Sequence, residues 1–294
     1  MFRVQSYAFL LEGARNPKEM FEKGTRSKEK PLVSCSIKKI FVLLHKKQKP
    51  GVITSIESSG RGPYRDCAAK IIQKMEYTKD FFEKVFSADR MSKYFSLYPE
   101  DEGRAAKHYQ CNIMLSEAMY PCLSVFEVEL RNSVARELKT FANREDWYVV
   151  FSTIPDLMEL NKYISTAKRQ IASRGEEITA AKITAELTWG FWTSLFNRNY
   201  ERILWKDLRR AFPFVKKANR QRKVVASSLN KFRRLRNRID HNEAICWNLK
   251  EVELIHDEML NVMRWMNKDV PVWLSQFDRF CHVCQEIRII LDWD

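Results

Sequence analysis

LSEAMYPCLSVFEVELRNSVARELKTF, residues 115–141, places Leu115, Met119, Cys122, Phe126, Leu130, Val134, Leu138 and Phe141 at intervals of three and four. At about 100° per residue those side chains fall on one face, which predicts a long amphipathic helix. Pro121 interrupts the stripe and predicts either a kink or the first turn of a second helix. The same period returns in Val225, Leu229, Phe232, Leu235 and Ile239, and again in Val252, Ile255, Met259, Val262 and Met266. Shorter helices are expected over 78–98, 155–172, 176–187, 200–211 and 274–290. No internal repeat and no parallel-sheet alternation accompanies them. With 8 glycines and 9 prolines in 294 residues, a turn-rich sandwich is disfavoured. The expected fold is an all-α bundle of several helices.

The helical pattern begins near Met75. Before it, Lys46-Lys47-Gln48-Lys49-Pro50-Gly51 and Ser58-Ser59-Gly60-Arg61-Gly62-Pro63 break any useful periodicity. Residues 35–44 and 52–57 suit a hairpin across Lys49-Pro50-Gly51. Residues 1–74 read as a basic extension, poorly structured or loosely docked, ahead of a helical domain over 75–294; the other reading starts the natural chain at Met75. No stretch reaches the ~20 apolar residues of a membrane span, and no signal-peptide core is evident. Seven cysteines without a disulfide framework suit reduced thiols, so a cytoplasmic setting is expected. Cys281 and Cys284 form a CxxC, but a second ligand pair is missing, so core packing is the expectation and no metal is assigned.

The net charge of +14 is unevenly placed. Residues 1–74 hold 16 Lys+Arg against 6 Asp+Glu, and residues 202–238 hold 14 basic residues against the single acid Asp207. Two basic blocks on a nearly neutral body point to an anionic partner. Within the second block, Lys216, Lys217, Arg220, Arg222, Lys223, Arg233, Arg234 and Arg238 are the candidate contacts, RNA-binding residues if the resemblance described below holds. Phosphate-cradling Gly-rich loops, GxSxG elbows and His-Glu-x-x-His helices are absent, which leaves chemistry needing few side chains and no cofactor.

That block ends in Leu235-Arg236-Asn237-Arg238-Ile239-Asp240-His241-Asn242-Glu243. The stretch resembles the Arg-x(4–6)-His motif of HEPN ribonucleases, in which a polar residue follows the Arg. His241 satisfies the spacing from Arg236 or Arg234, and Asn237 favours Arg236. Leu115-Ser116-Glu117-Ala118-Met119-Tyr120-Pro121 with Phe126-Glu127-Val128-Glu129-Leu130-Arg131-Asn132 is similar to the first long helical region of Abi-like (abortive infection) proteins in that superfamily. Trp189-Gly190-Phe191-Trp192-Thr193-Ser194-Leu195-Phe196, followed by Tyr200 and Trp205, is similar to their central aromatic segment. The resemblance covers roughly residues 77–270. It implies a HEPN-type helical bundle, an endoribonuclease of phage-defence or toxin-antitoxin type, and a homodimer with the two motifs at its interface. A regulatory RNA or an antitoxin partner belongs to the same implication, as does an active-site support role for Glu127, Arg131 and Asn132.

The chemistry fits the residue types. Metal-independent RNA cleavage needs a base for the ribose 2′-hydroxyl, an acid for the leaving 5′-oxygen and positive charge for the phosphorane. A histidine of pKa about 6.5 serves either proton role, and an arginine offers a charged planar fork to phosphate oxygens. On one helix Arg236 and His241 stand roughly 140° apart, and Asn237 and His241 roughly 40° apart. One helix therefore carries part of a site. Plainer readings exist for each residue: His241 as a surface histidine at a helix end with Asn242 or Asp240 capping, Glu127–Arg131 as a surface ion pair, and the aromatics Trp189, Phe191, Trp192, Tyr200 and Trp205 as core. The alternative functions are a non-catalytic RNA-binding module and a helical scaffold whose basic face meets an acidic protein.

Overall fold

The period of 115–141 continues well beyond that stretch. In the computed structural model, which describes residues 78–293, one α-helix runs from Glu102 to Ala142. The extension 1–74, with its expected hairpin, lies outside the described residues. In chain order the helices are α1 (Lys79–Phe86), α2 (Ala88–Leu97), α3 (Glu102–Ala142), α4 (Asn161–Ser173), α5 (Ala180–Glu186), α6 (Trp189–Ser194), α7 (Glu201–Leu208), α8 (Arg222–Asp240), α9 (Leu249–Met266), α10 (Asp269–Leu274) and α11 (Phe280–Leu291). Short 3₁₀ turns join several of them, and no strand occurs among the described residues. The fold is all-α. No helix among those residues is long and apolar enough to cross a membrane.

The 41 residues of α3 span about 60 Å at 1.5 Å per residue. Asp101 starts the helix, its Oδ1 accepting the Arg104 amide at 2.8 Å. Asn143 stops it in the left-handed region, at φ +52°. Pro121 neither ends nor restarts the helix, which runs through it. The missing Pro121 N–H frees the Glu117 carbonyl, and both residues line a shallow groove with Phe277 and Val283.

Most of the packing between elements distant in sequence is organised on α3: α9 and α11 along one flank, α7 and the 3₁₀ turn Trp147–Ser152 on another, α2 near its start. The basic helix α8 packs on α6 and α9 through Val225, Leu229, Phe232 and Leu235, all buried. Phe126 joins these layers. It has no exposed surface, stacks on Trp189 at 5.5 Å and meets Phe232 edge-on at 5.1 Å. Trp189, Phe191, Trp192 and Tyr200 are core residues, and Trp205 packs against that core partly buried. A smaller cluster of Phe82, Met91, Tyr94 and Phe95 seats α1 and α2 on Ala105, Ala106 and Tyr109 of α3.

Local chemistry reshaped several of the expected helices: 155–172 opens as the 3₁₀ turn Pro155–Leu160 before α4, and 200–211 closes as the 3₁₀ turn Arg209–Ala211 after α7. The stretch 78–98 breaks at Ser87, whose φ of +76° turns the chain while its Oγ caps α2 at the Arg90 amide. Beyond Leu274, the end of α10, the stretch expected over 274–290 is helical only from Phe280, before which Asp278 accepts the Phe280 amide through Oδ1 and a bond from His256 Nε2 at 2.8 Å through Oδ2. Burial raises the Asp278 carboxyl, but its His256 and Phe280 bonds outweigh that and hold it below the usual range. The CxxC is split between environments, Cys281 exposed and Cys284 buried. Among the described residues no group of three His, Cys, Asp or Glu is placed to hold a metal.

Glu129 gives the fold a pH dependence of its own. Both carboxylate oxygens are buried without a hydrogen-bond partner, and burial lifts the group to about 8 against the opposing charge of Arg136. Its folded-state pKa thus lies above the ~4.3 of an unfolded chain, so stability falls as pH rises from about 4.3 to about 8 and is flat above. Glu129→Gln should lack that component and gain on the parent protein across the window. Thermal midpoints of both proteins from pH 5 to 9 check this, and parallel curves would refute it.

Candidate functional site

Helix α8 carries two faces of different chemistry. Inward lie Val225, Leu229, Phe232 and Leu235. Outward, Lys223, Ser227, Asn230, Arg234, Asn237 and His241 recur at intervals of three and four, all exposed except the half-buried Asn230. That row is basic at its start and ends on the imidazole. The period that buries the apolar residues is what aligns the polar ones.

The helix ends in a Schellman turn. Asn242 takes φ +53°, its amide donates to the Ile239 carbonyl at 2.9 Å, and the Glu243 amide donates to the Arg238 carbonyl at 2.8 Å. His241 is the C-cap, its own amide bonded to Asn237 at 3.0 Å. An asparagine at the left-handed position satisfies the turn without glycine. His241 is therefore an exposed histidine at a helix end with Asn242 as the capping residue.

Arg236 lies on the flank between the two faces. Its Nη1 is 2.5 Å from Asp240 Oδ2, and each side chain is about a third exposed, at 34% and 28%. Across the helix interface stands Glu127 of α3. Burial lifts its carboxyl above the usual range, Asp240 adds to this, and the charges of Arg236 and Arg131 oppose it. Burial likewise raises Asp240, against Arg236 and His241. Glu127, Arg131, Arg236, Asp240 and His241 thus share one electrostatic neighbourhood built from two helices. Arg131 Nε is buried without a hydrogen-bond partner, and Asn132 is exposed beside it on the chain. Arg236 is half-buried within α8, and His241 is exposed at its C-cap.

The remaining basic residues divide by what they touch. Lys216, Lys217, Lys223 and Arg234 are exposed, and Arg233 is half-buried. Arg222 is structural: its Nε meets Glu201 and its Nη1 the Phe196 carbonyl, each at 2.8 Å, with the side chain only 14% exposed. Arg220 Nη2 bonds the carbonyls of Pro213 at 2.9 Å and Val215 at 3.3 Å. Arg238 folds over the turn, Nη2 donating to the Ala244 carbonyl at 2.5 Å. A block that reads as uniform charge is therefore part solvent-facing cation and part backbone support.

Two residues that sequence reading passed over hold the segment after His241. Asn112, 3% exposed on α3, accepts the amides of Ile245 at 2.7 Å and Cys246 at 3.0 Å through Oδ1 and donates from Nδ2 to the Glu243 carbonyl at 3.3 Å. Arg90 of α2 donates through Nη1 to the Asn242 carbonyl. The signal for Asn112 was its register: it stands three residues before Leu115, on the buried stripe, where an amide needs a partner. Arg90 carried no comparable signal.

Compared with models of protein families, with curated proteins and with solved structures, the chain matches none.

The division of the basic residues is directly testable by thermal denaturation. Arg222→Ala should lower stability by about 1.5–3 kcal/mol, the usual worth of charge-assisted bonds, while Lys216→Ala and Lys217→Ala should stay within about 0.5 kcal/mol of the parent. Equal losses at all three positions would contradict it.

Proposed function

We propose that the protein is a metal-independent endoribonuclease of the HEPN superfamily, of Abi-like type, acting in phage defence or as a toxin. The observation that carries the reading is the outward row of α8, a cationic and amide-bearing face that ends on a capped, exposed His241 beside the Arg236–Asp240–Glu127–Arg131 cluster. Phosphates are the ligand such a row suits: Lys223 and Arg234 contact the backbone, with Lys216 and Lys217 extending the track. Arg236, Asn237 and His241 act at the scissile phosphate.

In that scheme a base takes the ribose 2′-hydroxyl proton, the 2′-oxygen attacks phosphorus, and the 5′-oxygen leaves with a proton from an acid. His241 fills one of the proton roles. Arg236 exchanges Asp240 for non-bridging phosphate oxygens, a trade between two anions for one fork. Glu127 and Asp240 orient that guanidinium. Because Arg236 and His241 diverge by roughly 140° on one helix, a second copy facing the first supplies the complementary half, and the working form is a homodimer. The setting is cytoplasmic, and a regulatory RNA or an antitoxin would silence the enzyme by covering the same row.

The second reading, a non-catalytic HEPN module holding a structured RNA, is favoured by the ion pair that already occupies Arg236. Incubation with total RNA separates the two. The parent protein should cut RNA in excess chelator and leave a 2′,3′-cyclic phosphate, or its hydrolysed form, opposite a 5′-hydroxyl. His241→Ala and Arg236→Ala should each lose about 100-fold or more of the rate with helicity and oligomer mass unchanged. A 2′-O-methyl sugar at the cut site should bind and stay intact. Binding without cleavage by any form would establish the second reading, and cleavage by His241→Ala at the parental rate would remove the site.

A further inference from the structure

We infer that Asn112 is a positioning residue for His241, a role that rests on the ribonuclease reading above. His241 closes α8, where its backbone amide bonds to the Asn237 carbonyl. The segment after it is held by three side chains, two of them from other helices. The carbonyls of three consecutive residues are each taken by a different side chain: Asn242 by Arg90, Glu243 by Asn112 and Ala244 by Arg238. The next two amides, of Ile245 and Cys246, both go to Asn112 Oδ1. Asn112 therefore makes three of these five bonds, and of the three side chains it alone is fully buried.

The consequence for His241 is geometric. Its backbone is held on one side by the last turn of α8 and on the other by the left-handed turn at Asn242, a position asparagine suits. Asn112 ties the exit of that turn to the long helix that also carries Glu127 and Arg131. Both halves of the candidate site are thus referenced to α3. A carboxamide suits this position because its oxygen accepts two backbone N–H groups while its nitrogen donates to a carbonyl. An aspartate keeps the first function and loses the second; an alanine loses both and leaves two buried amides unpaired.

Asn112→Ala, Asn112→Asp and Arg90→Ala in the full chain test this, read by RNA cleavage and by the ring resonances of His241, assigned with His241→Ala. Asn112→Ala should lower kcat by about 10–100-fold with KM within about twofold, because misplacement costs rate while phosphate contacts remain. Asn112→Asp should recover part of the loss, and the exposed Arg90→Ala should show a smaller fall in the same direction. The His241 ring signals should shift or broaden in Asn112→Ala at temperatures where the protein is folded. Parental kcat and unchanged His241 signals in the folded variants would overturn the proposal. If Asn112→Ala does not fold, the Asp and Arg90 variants decide on the same criteria. If the parent protein cuts no RNA, the ribonuclease reading falls by itself, and the ring signals decide whether Asn112 still sets His241.

Discussion

Phe126 sits near the middle of α3, wholly buried, with Trp189 of α6 on one side and Phe232 of α8 on the other. The consequences run outward from that contact. Trp189 opens the aromatic turn whose next residues, Phe191 and Trp192, pack on Trp147. Phe232 belongs, with Val225, Leu229 and Leu235, to the buried face of α8, which sets which of its arginines face solvent. Truncating such a side chain removes burial and leaves a cavity, an effect of about 3–5 kcal/mol, and here the cavity would open among three helices at once.

Polar groups finish what the apolar contact begins. Glu258 of α9 receives Ser228 at 2.6 Å and also Lys231, fixing the register of α8 on α9. Arg288 meets Glu253 at 2.7 Å and does the same for α11. His256 stacks on Phe280 at 4.2 Å and bonds Asp278, closing the corner between α10 and α11. Elsewhere burial is not compensated. His108 lies among Tyr94, Tyr98, Trp247 and Trp293 with neither ring nitrogen bonded, and burial lowers it to about 4. It is neutral at ordinary pH and packs from α3 as an aromatic spacer against α2, its following turn and the chain beyond α8.

The candidate site inherits both kinds of constraint. Its cations are not a cloud on a helix surface, since Arg222 and Arg238 are engaged by backbone carbonyls and carboxylates while Lys223 and Arg234 face solvent. Its carboxylates are not idle either: Asp240 sits close enough to Glu127 to raise it, and Arg236 opposes the upward shift of both. Arg236 is thus paired with Asp240 in the field of Glu127, and the backbone of His241 is held by the turn that closes α8.

Much of this was legible from residue order. The spacing of Leu115 through Phe141 gave the later two thirds of α3, though not its start at Glu102 or its passage through Pro121, and the spacing of Val225 through Ile239 gave α8; each set of apolar positions implied the polar row opposite it, because a helix has one period for both faces. The roles of Ser87, Asn112, Asp278 and Arg90 were not legible. Ser87 and Asp278 direct their side chains to backbone amides within three residues, a local competition that periodicity does not register. Asn112 and Arg90 find their partners more than 130 residues away, in Glu243, Ile245 and Cys246 for the first and in Asn242 for the second. The sequence by itself thus determined that helices cover 115–141, 225–239 and 252–266 and which face of each is apolar, since those depend on neighbours three and four positions apart. Only the tertiary structure decided which cations are free, which acid faces Arg236 and what holds His241, because those depend on which distant carbonyl or carboxylate the packed helices bring within about 3 Å.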